Sequence, residues 1–296
     1  EKPFAGINGS GKHCNWSMST DRGENLLDPG KTPHQNLRFL AFLAVCLKAV
    51  YDSSVALRFS ISGANNDLRL GANEAPPAIL SVFVGDQLTQ IIERAMAGEA
   101  SKDPEHFVLE MGVAKLPALA KDNTDRNRTS PFAFTGNKFE FRAVGSSANT
   151  AVPMSTLNAA AASALAEMTA RLKKKLDANP GHRDQAVAEL LREVFTETAA
   201  VRFEGNGYSD DWKKEAKKRG LPNLVDTPAA IAAVRDKKAH QFLVDTGVLS
   251  AVEVEARINV AMERYLKQVT LEAETLVEMV TTQVVPAVER QMAVTG

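Results

Sequence analysis

The residues best suited to chemistry begin near the start of the chain, where glycines precede a histidine. Residues 6–13 read GINGSGKH, close to the GxxxxGK[ST] loop that cradles nucleotide phosphates. Two requirements of that loop fail, because the lysine is followed by His13 instead of a hydroxyl residue and no helical pattern comes next. The sequence instead predicts an extended segment at 13–19 with His13, Asn15 and Ser17 on one face. Such a histidine is either a metal or phosphate contact or a surface residue of a turn.

A second segment with chemical potential is the run FEFR at residues 139–142. Its alternation predicts a strand with Glu140 and Arg142 on the same face. Taken alone, these charges are either a solvated pair or a carboxylate and a cation of a binding site. Because both segments have a period of two, we predict neighbouring antiparallel strands that direct His13 and Glu140 into one cavity, which Arg142 also reaches.

The elements around these segments change character along the chain. The pattern predicts α+β structure, an antiparallel sheet with packed helices, up to residue 178, and a helical extension over 179–296. The boundary is the Asn-Pro-Gly turn at 179–181. The predicted helices run from Thr32-Pro33 to Val50, then over 86–97, 153–177, 184–202, 210–219 and 228–245, with a last helix of roughly 35–45 residues opened by a Ser250–Glu253 capping box.

Composition narrows the class of protein. The 296 residues are 44% apolar and 24% charged, as in an ordinary soluble globular chain. A formal net charge of −1 gives no field that would favour nucleic acid, and the longest apolar run, 39–47, is too short to cross a membrane. The two cysteines form no CxxC pair, which fits a reducing compartment such as the cytoplasm. Without an initiator Met, the chain is interpreted as an internal fragment.

Four segments, in order, resemble those of the glutamine synthetases, especially the long type III form. Residues 8–15, NGSGKHCN, resemble the signature NGSGxHxH with Asn15 in place of the second histidine. Residues 69–79, RLGANEAPPAI, resemble the family's arginine-to-flap segment, and 127–130, NRTS, its NRS segment. Residues 139–142 resemble its strand with a metal-binding glutamate. The resemblance is close over about residues 1–170.

The resemblance implies ATP-dependent ligation of ammonium to L-glutamate through γ-glutamyl phosphate, with Mg²⁺ or Mn²⁺ as cofactor. Two positions expected to contact the nucleotide differ from the family's pattern. Ala133 stands where the family has an arginine, and Lys138 stands where it has a second arginine. The implied roles are metal binding by His13 and Glu140; glutamate binding by Asn8, Gly9, Arg69 and Arg142; ATP binding by Asn15, Ser17, Arg128 and Lys138; and catalysis by Glu74, Arg128 and Arg142.

Two other functions remain open from the sequence: a ligase that joins glutamate to a different amine, and a synthetase-like protein that only binds or regulates. The family also implies a ring-shaped homo-oligomer, dodecamer-like, and further metal ligands and an N-terminal domain upstream, so this chain alone is expected to be inactive. The last helix carries a mostly apolar stripe that packs either within the chain or on another subunit. The stripe consists of Val254, Ile258, Ala261, Met262, Tyr265, Val269, Glu272, Leu276 and Met279.

Overall fold

A small sheet lies at the centre of the first part of the protein. The computed structural model describes residues 10–71, 75–97 and 129–296. Strand order is β1-β4-β3-β2, with β1–β4 and β3–β4 antiparallel and β2–β3 parallel. The predicted α+β class is confirmed, but the sheet is mixed because the long connection between β2 and β3 allows a parallel pairing. The strands are β1 Gly11–Trp16, β2 Val82–Phe83, β3 Phe132–Phe134 and β4 Phe139–Gly145.

The helices of the first part surround this sheet. The helix predicted to open at Thr32-Pro33 begins later, because those residues lead only into a short 3-10 turn, Pro33–Gln35. Asn36 then supplies the cap by accepting the Phe39 N–H. The helices are α1 Leu37–Asp52, α2 Ser54–Ser60, α3 Ala64–Asp67, α4 Asp86–Ala97 and α5 Ala151–Ala178.

After residue 182 the described chain consists of helices and connecting segments, in which Arg202 and Asn223 form isolated β-bridges with Val82 and Ile79. The predicted helix 228–245 is two helices, since Asp236 caps a new one by accepting the Lys238 N–H. The predicted capping box of Ser250 and Glu253 is confirmed. The helices are α6 Arg183–Glu197, α7 Asp210–Lys218, α8 Thr227–Val234, α9 Lys237–Asp245, α10 Ala251–Met279 and α11 Val285–Thr295, with a 3-10 turn at Ala199–Val201.

One hydrophobic core joins the sheet to these later helices. Phe132 of β3 stacks on Phe139 of β4 with ring centroids 4.5 Å apart. The same cluster of buried residues includes Leu191 and Phe195 of α6, beyond the predicted boundary. Glu204 adds a polar link, since its carboxylate accepts the N–H groups of Val84 and Gly85 and the Thr89 hydroxyl at the start of α4. The division at 178/179 stays a prediction, and the two parts share a core.

The last helix packs on a separate small hydrophobic cluster and leaves it after two turns. Val254 and Ile258 are buried against α8, whereas the side chains from residue 269 onward are exposed, apart from a half-buried Pro286. The predicted stripe therefore packs within this chain only at its beginning. Its later apolar members Met262, Val269, Leu276 and Met279 are exposed, and so are the further apolar residues Leu266, Val280, Val284 and Val288, which were not part of the predicted stripe.

A π-helical turn, Val280–Val284, joins α10 to α11. Pro286 explains it, since a proline cannot donate to the carbonyl four residues earlier and its ring clashes with that carbonyl. The Thr282 hydroxyl donates to the Glu278 carbonyl just before the break. Within the described ranges no single helix is long and apolar enough to cross a membrane; α1 and α2 together reach that length and composition, bent by 76°.

Candidate functional site

The centre of the candidate site is a contact between β1 and β4. His13 donates from Nδ1 to Glu140 Oε1, and the two residues lie on neighbouring antiparallel strands, as predicted. The carboxylate is 6% exposed and the imidazole 52% exposed, so Glu140 is buried and His13 borders solvent. With Nδ1 donating, Nε2 is the ring nitrogen that can accept a proton or bind a metal.

Arg142 lies two residues further along β4 and shares the same carboxylate. Its Nε is 3.5 Å from Glu140 Oε2, and the side chain is 4% exposed. The Arg142 N–H donates to the Pro131 carbonyl, which ties β4 to the entry of β3. One carboxylate thus touches an imidazole on one side and a guanidinium on the other, which is a suitable arrangement for binding a cation beside an anionic group.

Arg69 also contacts β4, through the carbonyl groups of its backbone. It follows α3, is 1% exposed, and donates from Nη2 to the Arg142 carbonyl at 3.0 Å and from Nη1 to the Val144 carbonyl at 3.3 Å. A Cβ at Gly11 would overlap this guanidinium, so a larger residue there would displace the end of the Arg69 side chain. The role of Arg69 toward a substrate carboxylate stays a prediction; the described contacts join it to the backbone of β4.

Among the described residues predicted to contact ATP, Asn15 lies on β1, Ser17 directly follows β1 and Lys138 directly precedes β4. Asn15 is exposed and is paired directly with Glu140 in the strand register. The Ser17 hydroxyl donates to Asn25 Oδ1 at 2.6 Å and to the Asn137 carbonyl at 3.3 Å. Lys138, next in the chain, is half-buried. Their contact with ATP remains a prediction.

Four predicted site residues, Asn8, Gly9, Glu74 and Arg128, lie outside the described residues. Thr129, the first described residue after Arg128, meets the later part of the chain: the Gly207 N–H donates to its hydroxyl at 2.8 Å.

The glycine-rich segment does not form a P-loop helix. Residues from Gly11 to Trp16 are a strand, and Lys12 Nζ donates to the Ala148 carbonyl at 2.6 Å. This agrees with the prediction of an extended segment. The neighbouring Cys14 packs against the core on the other face, and burial raises the pKa of its thiol. Cys14 is therefore a protonated thiol at neutral pH and is no candidate nucleophile.

The donor set is consistent with part of a divalent metal site. His13 offers a nitrogen and Glu140 an oxygen, a mixture that suits Mn²⁺ as well as Mg²⁺. No group of three or more His, Cys, Asp or Glu side chains among the described residues could hold a metal ion. These two residues would thus supply two of the about six ligands that Mg²⁺ takes.

Sequence reasoning missed Asn66, which is 3% exposed and lies one helical turn before Arg69. Its Nδ2 donates to the Ala143 carbonyl of β4 at 2.9 Å. The available signal was the i, i+3 spacing of Asn66 and Arg69, which places both side chains on one face of a helical turn.

Comparisons with known proteins agree with this fold. Residues 186–294 match the family described as the glutamine synthetase C-terminal domain. Over 97% of its length the chain is 44% identical to the glutamine synthetase of Bacteroides fragilis and 45% identical to the type-3 glutamine synthetase of Dictyostelium discoideum. It spans about 40% of the length of the curated relatives it matches. The resemblance to glutamine synthetases, the type III form included, is confirmed.

Proposed function

We propose that the protein carrying this chain is a glutamate–ammonia ligase that uses ATP, and that this chain supplies one part of its active site. The observation that carries the proposal is the contact of His13 with Glu140, beside Arg142, at positions matching the family's motifs. The similarity to proteins named glutamine synthetase over nearly the whole chain supports the same conclusion.

The proposed reaction needs activation of a carboxylate before ammonia can attack it. Transfer of the ATP γ-phosphoryl group to the glutamate γ-carboxylate gives an acyl phosphate, and ammonia then displaces phosphate. Such transfers depend mainly on positioning and on neutralising charge. A bound Mg²⁺ or Mn²⁺ supplies Lewis-acid neutralisation of phosphate oxygens.

The chain's own residues have distinct tasks in this proposal. His13 and Glu140 hold the metal, and Arg142 stabilises negative charge on the transferred phosphoryl group. Asn15, Ser17 and Lys138 face the nucleotide. Outside the described residues, Arg128 assists Arg142, Asn8 and Gly9 hold the amino end of glutamate, and Glu74 takes a proton from ammonium.

We also propose that the protein is a cytoplasmic homo-oligomer in which the exposed stripe of α10 and α11 packs on another subunit. The support is that large apolar side chains remain exposed along this helix, among them Leu276 (61%) and Met292 (67%). Extended apolar surface of this kind marks an interaction site.

The test is metal-dependent γ-glutamyl hydroxamate formation by the intact protein, with hydroxylamine in place of ammonia. Loss of a residue that only orients a metal ligand typically reduces activity about 10- to 100-fold. As proposed direct ligands, His13→Ala and Glu140→Gln should each reduce activity by more than this. His182→Ala is the matched control, because His182 is exposed at the start of α6. Absence of metal-dependent product from the intact protein, or normal turnover by both site variants, would contradict the proposal. Preference for another amine over ammonium would favour the alternative ligase.

A further inference from the structure

The pairing of β1 with β4 contains an irregularity at the candidate site. Lys12 pairs with Val144 and Cys14 with Phe141, so the single residue His13 lies opposite two residues, Arg142 and Ala143. This is a β-bulge on β4. A bulge interrupts the ladder of backbone hydrogen bonds and changes the direction of nearby side chains, and bulges are common beside active sites.

The backbone of the bulge is bound by two buried side chains. Carbonyl groups left without ladder partners in a buried strand must find other donors. Here three consecutive carbonyls each receive a side-chain hydrogen bond: Arg142 from Arg69 Nη2, Ala143 from Asn66 Nδ2, and Val144 from Arg69 Nη1. The irregular part of β4 is therefore held by one turn of chain around α3, which we call the bulge clamp and define as Asn66 and Arg69.

The clamp is itself fixed by further contacts. Asn66 Nδ2 also donates to the Ile61 carbonyl at 2.7 Å, and Asn66 Oδ1 accepts from Arg69 Nη1 at 3.3 Å. Both side chains are almost fully buried, at 3% and 1% exposure. Both amide hydrogens of Asn66 are donated to backbone carbonyls. An ionised carboxylate of the same shape has no hydrogen to donate and could not replace this amide.

We infer that Asn66, together with Arg69, is a positioning residue for the metal site: the clamp sets the bulge that directs His13 and Arg142 toward Glu140. This inference rests on the proposed function, because it concerns the residues proposed to bind the metal. None of the four motifs contains Asn66, and the comparisons assign it no role. In this inference Arg69 also holds the backbone of β4 by hydrogen bonds, in addition to its predicted contact with a substrate carboxylate.

The experiment measures Mn²⁺ binding to the intact protein directly, by electron paramagnetic resonance and calorimetry, together with activity. Asn66→Asp keeps the side-chain size and removes the two N–H donors. We expect Mn²⁺ affinity to fall about 10- to 100-fold, as for residues that orient metal ligands. Asn65→Asp is the matched control: this adjacent residue accepts from Gln268 of α10 and should keep the parental affinity.

The outcomes separate the inference from the function on which it rests. If the parent protein binds no Mn²⁺, the proposed metal site itself is wrong. If the parent binds Mn²⁺ and a folded Asn66→Asp variant binds it within twofold of the parent, the clamp has no positioning role, even if the variant unfolds more easily. Should Asn66→Asp not fold, Asn66→Ser, which retains one donor, is measured under the same criterion, with circular dichroism confirming the fold.

Discussion

Lys48 is a buried cation on α1 that links this helix to α5 and α6. Its Nζ lies 3.0 Å from Asp52 on α1, 3.2 Å from Glu167 on α5 and 2.8 Å from Glu197 on α6, and its side chain is 3% exposed. Burial acts to lower the pKa of Lys48, but hydrogen bonds to Glu197 and Asp52 outweigh it and hold the pKa above its usual value. Lys48 is therefore charged throughout the range in which the protein is folded.

The change Lys48→Met keeps most of the side-chain length and removes the charge. Removing one partner of a fully buried pair costs about 3–5 kcal/mol. The three carboxylates are 36–50% exposed, so water screens them, and exposed pairs are worth only about 0.2–1 kcal/mol. We expect an intermediate loss of about 2 kcal/mol in the free energy of unfolding, corresponding to a melting temperature lower by about 3 °C.

The pH dependence follows from Glu197. Burial acts to raise the pKa of Glu197, but hydrogen bonds from Lys48 and Arg171 outweigh it and the pKa is lowered. A carboxylate whose folded pKa is lowered contributes stability above its unfolded pKa, and this is lost as the pH falls through the folded pKa. Burial raises the pKa of Asp52 overall, but Lys48 acts to lower it, so the loss of Lys48 acts on Asp52 in the same direction. The difference between parent and variant should thus be largest at neutral pH and decrease progressively below about pH 5.

Urea unfolding followed by circular dichroism at pH 7 and pH 4 measures this difference. Lys174→Met is the control, because Lys174 is exposed on α5. A loss at pH 7 no larger than that of the control, or one that stays the same at pH 4, would refute the reasoning.

Three further changes test other contacts. Glu204→Gln should lower the free energy of unfolding by about 1 kcal/mol in urea titrations, because it removes a charged acceptor from the start of α4; no change would contradict the capping role. Gly207→Ala should cost about 1–3 kcal/mol, since its Cβ would press on the Thr129 carbonyl, whereas Gly63→Ala, with open space around it, should cost nothing. Deleting 269–296 should leave the melting temperature of dilute monomer unchanged but weaken self-association in analytical ultracentrifugation, and an unaltered association constant would exclude this stripe as the interface.

The strands of the site could be predicted because alternation along 13–19 and 139–142 is a local property of the sequence. The contact of His13 with Glu140 followed from that alternation and from the motifs. The bulge could not be predicted, because it depends on hydrogen bonds from Asn66 to a carbonyl 77 residues further along the chain.

Helix ends show the same limit. The start of α1 was misplaced because Asn36 competes with Thr32 for the cap, and the pattern does not decide between two good caps. The break between α8 and α9 was missed because an aspartate in a helical pattern resembles a surface residue as closely as a cap. The packing partner of the last helix could not be predicted for a different reason. An apolar stripe shows that one face of a helix is apolar, but it does not show which surface covers that face.

The π turn at Val280–Val284 acts on the phase of the apolar stripe. In a regular helix one additional residue rotates everything after it by about 100°. Apolar residues recur at alternating steps of four and three as far as Val280, through Met262, Leu266, Val269, Ala273 and Leu276, and then at steps of four to Val284 and Val288. The wider turn absorbs the additional residue, so the two halves of the helix keep a common face. A contact surface can thus extend along the helix across a proline that would otherwise divide it.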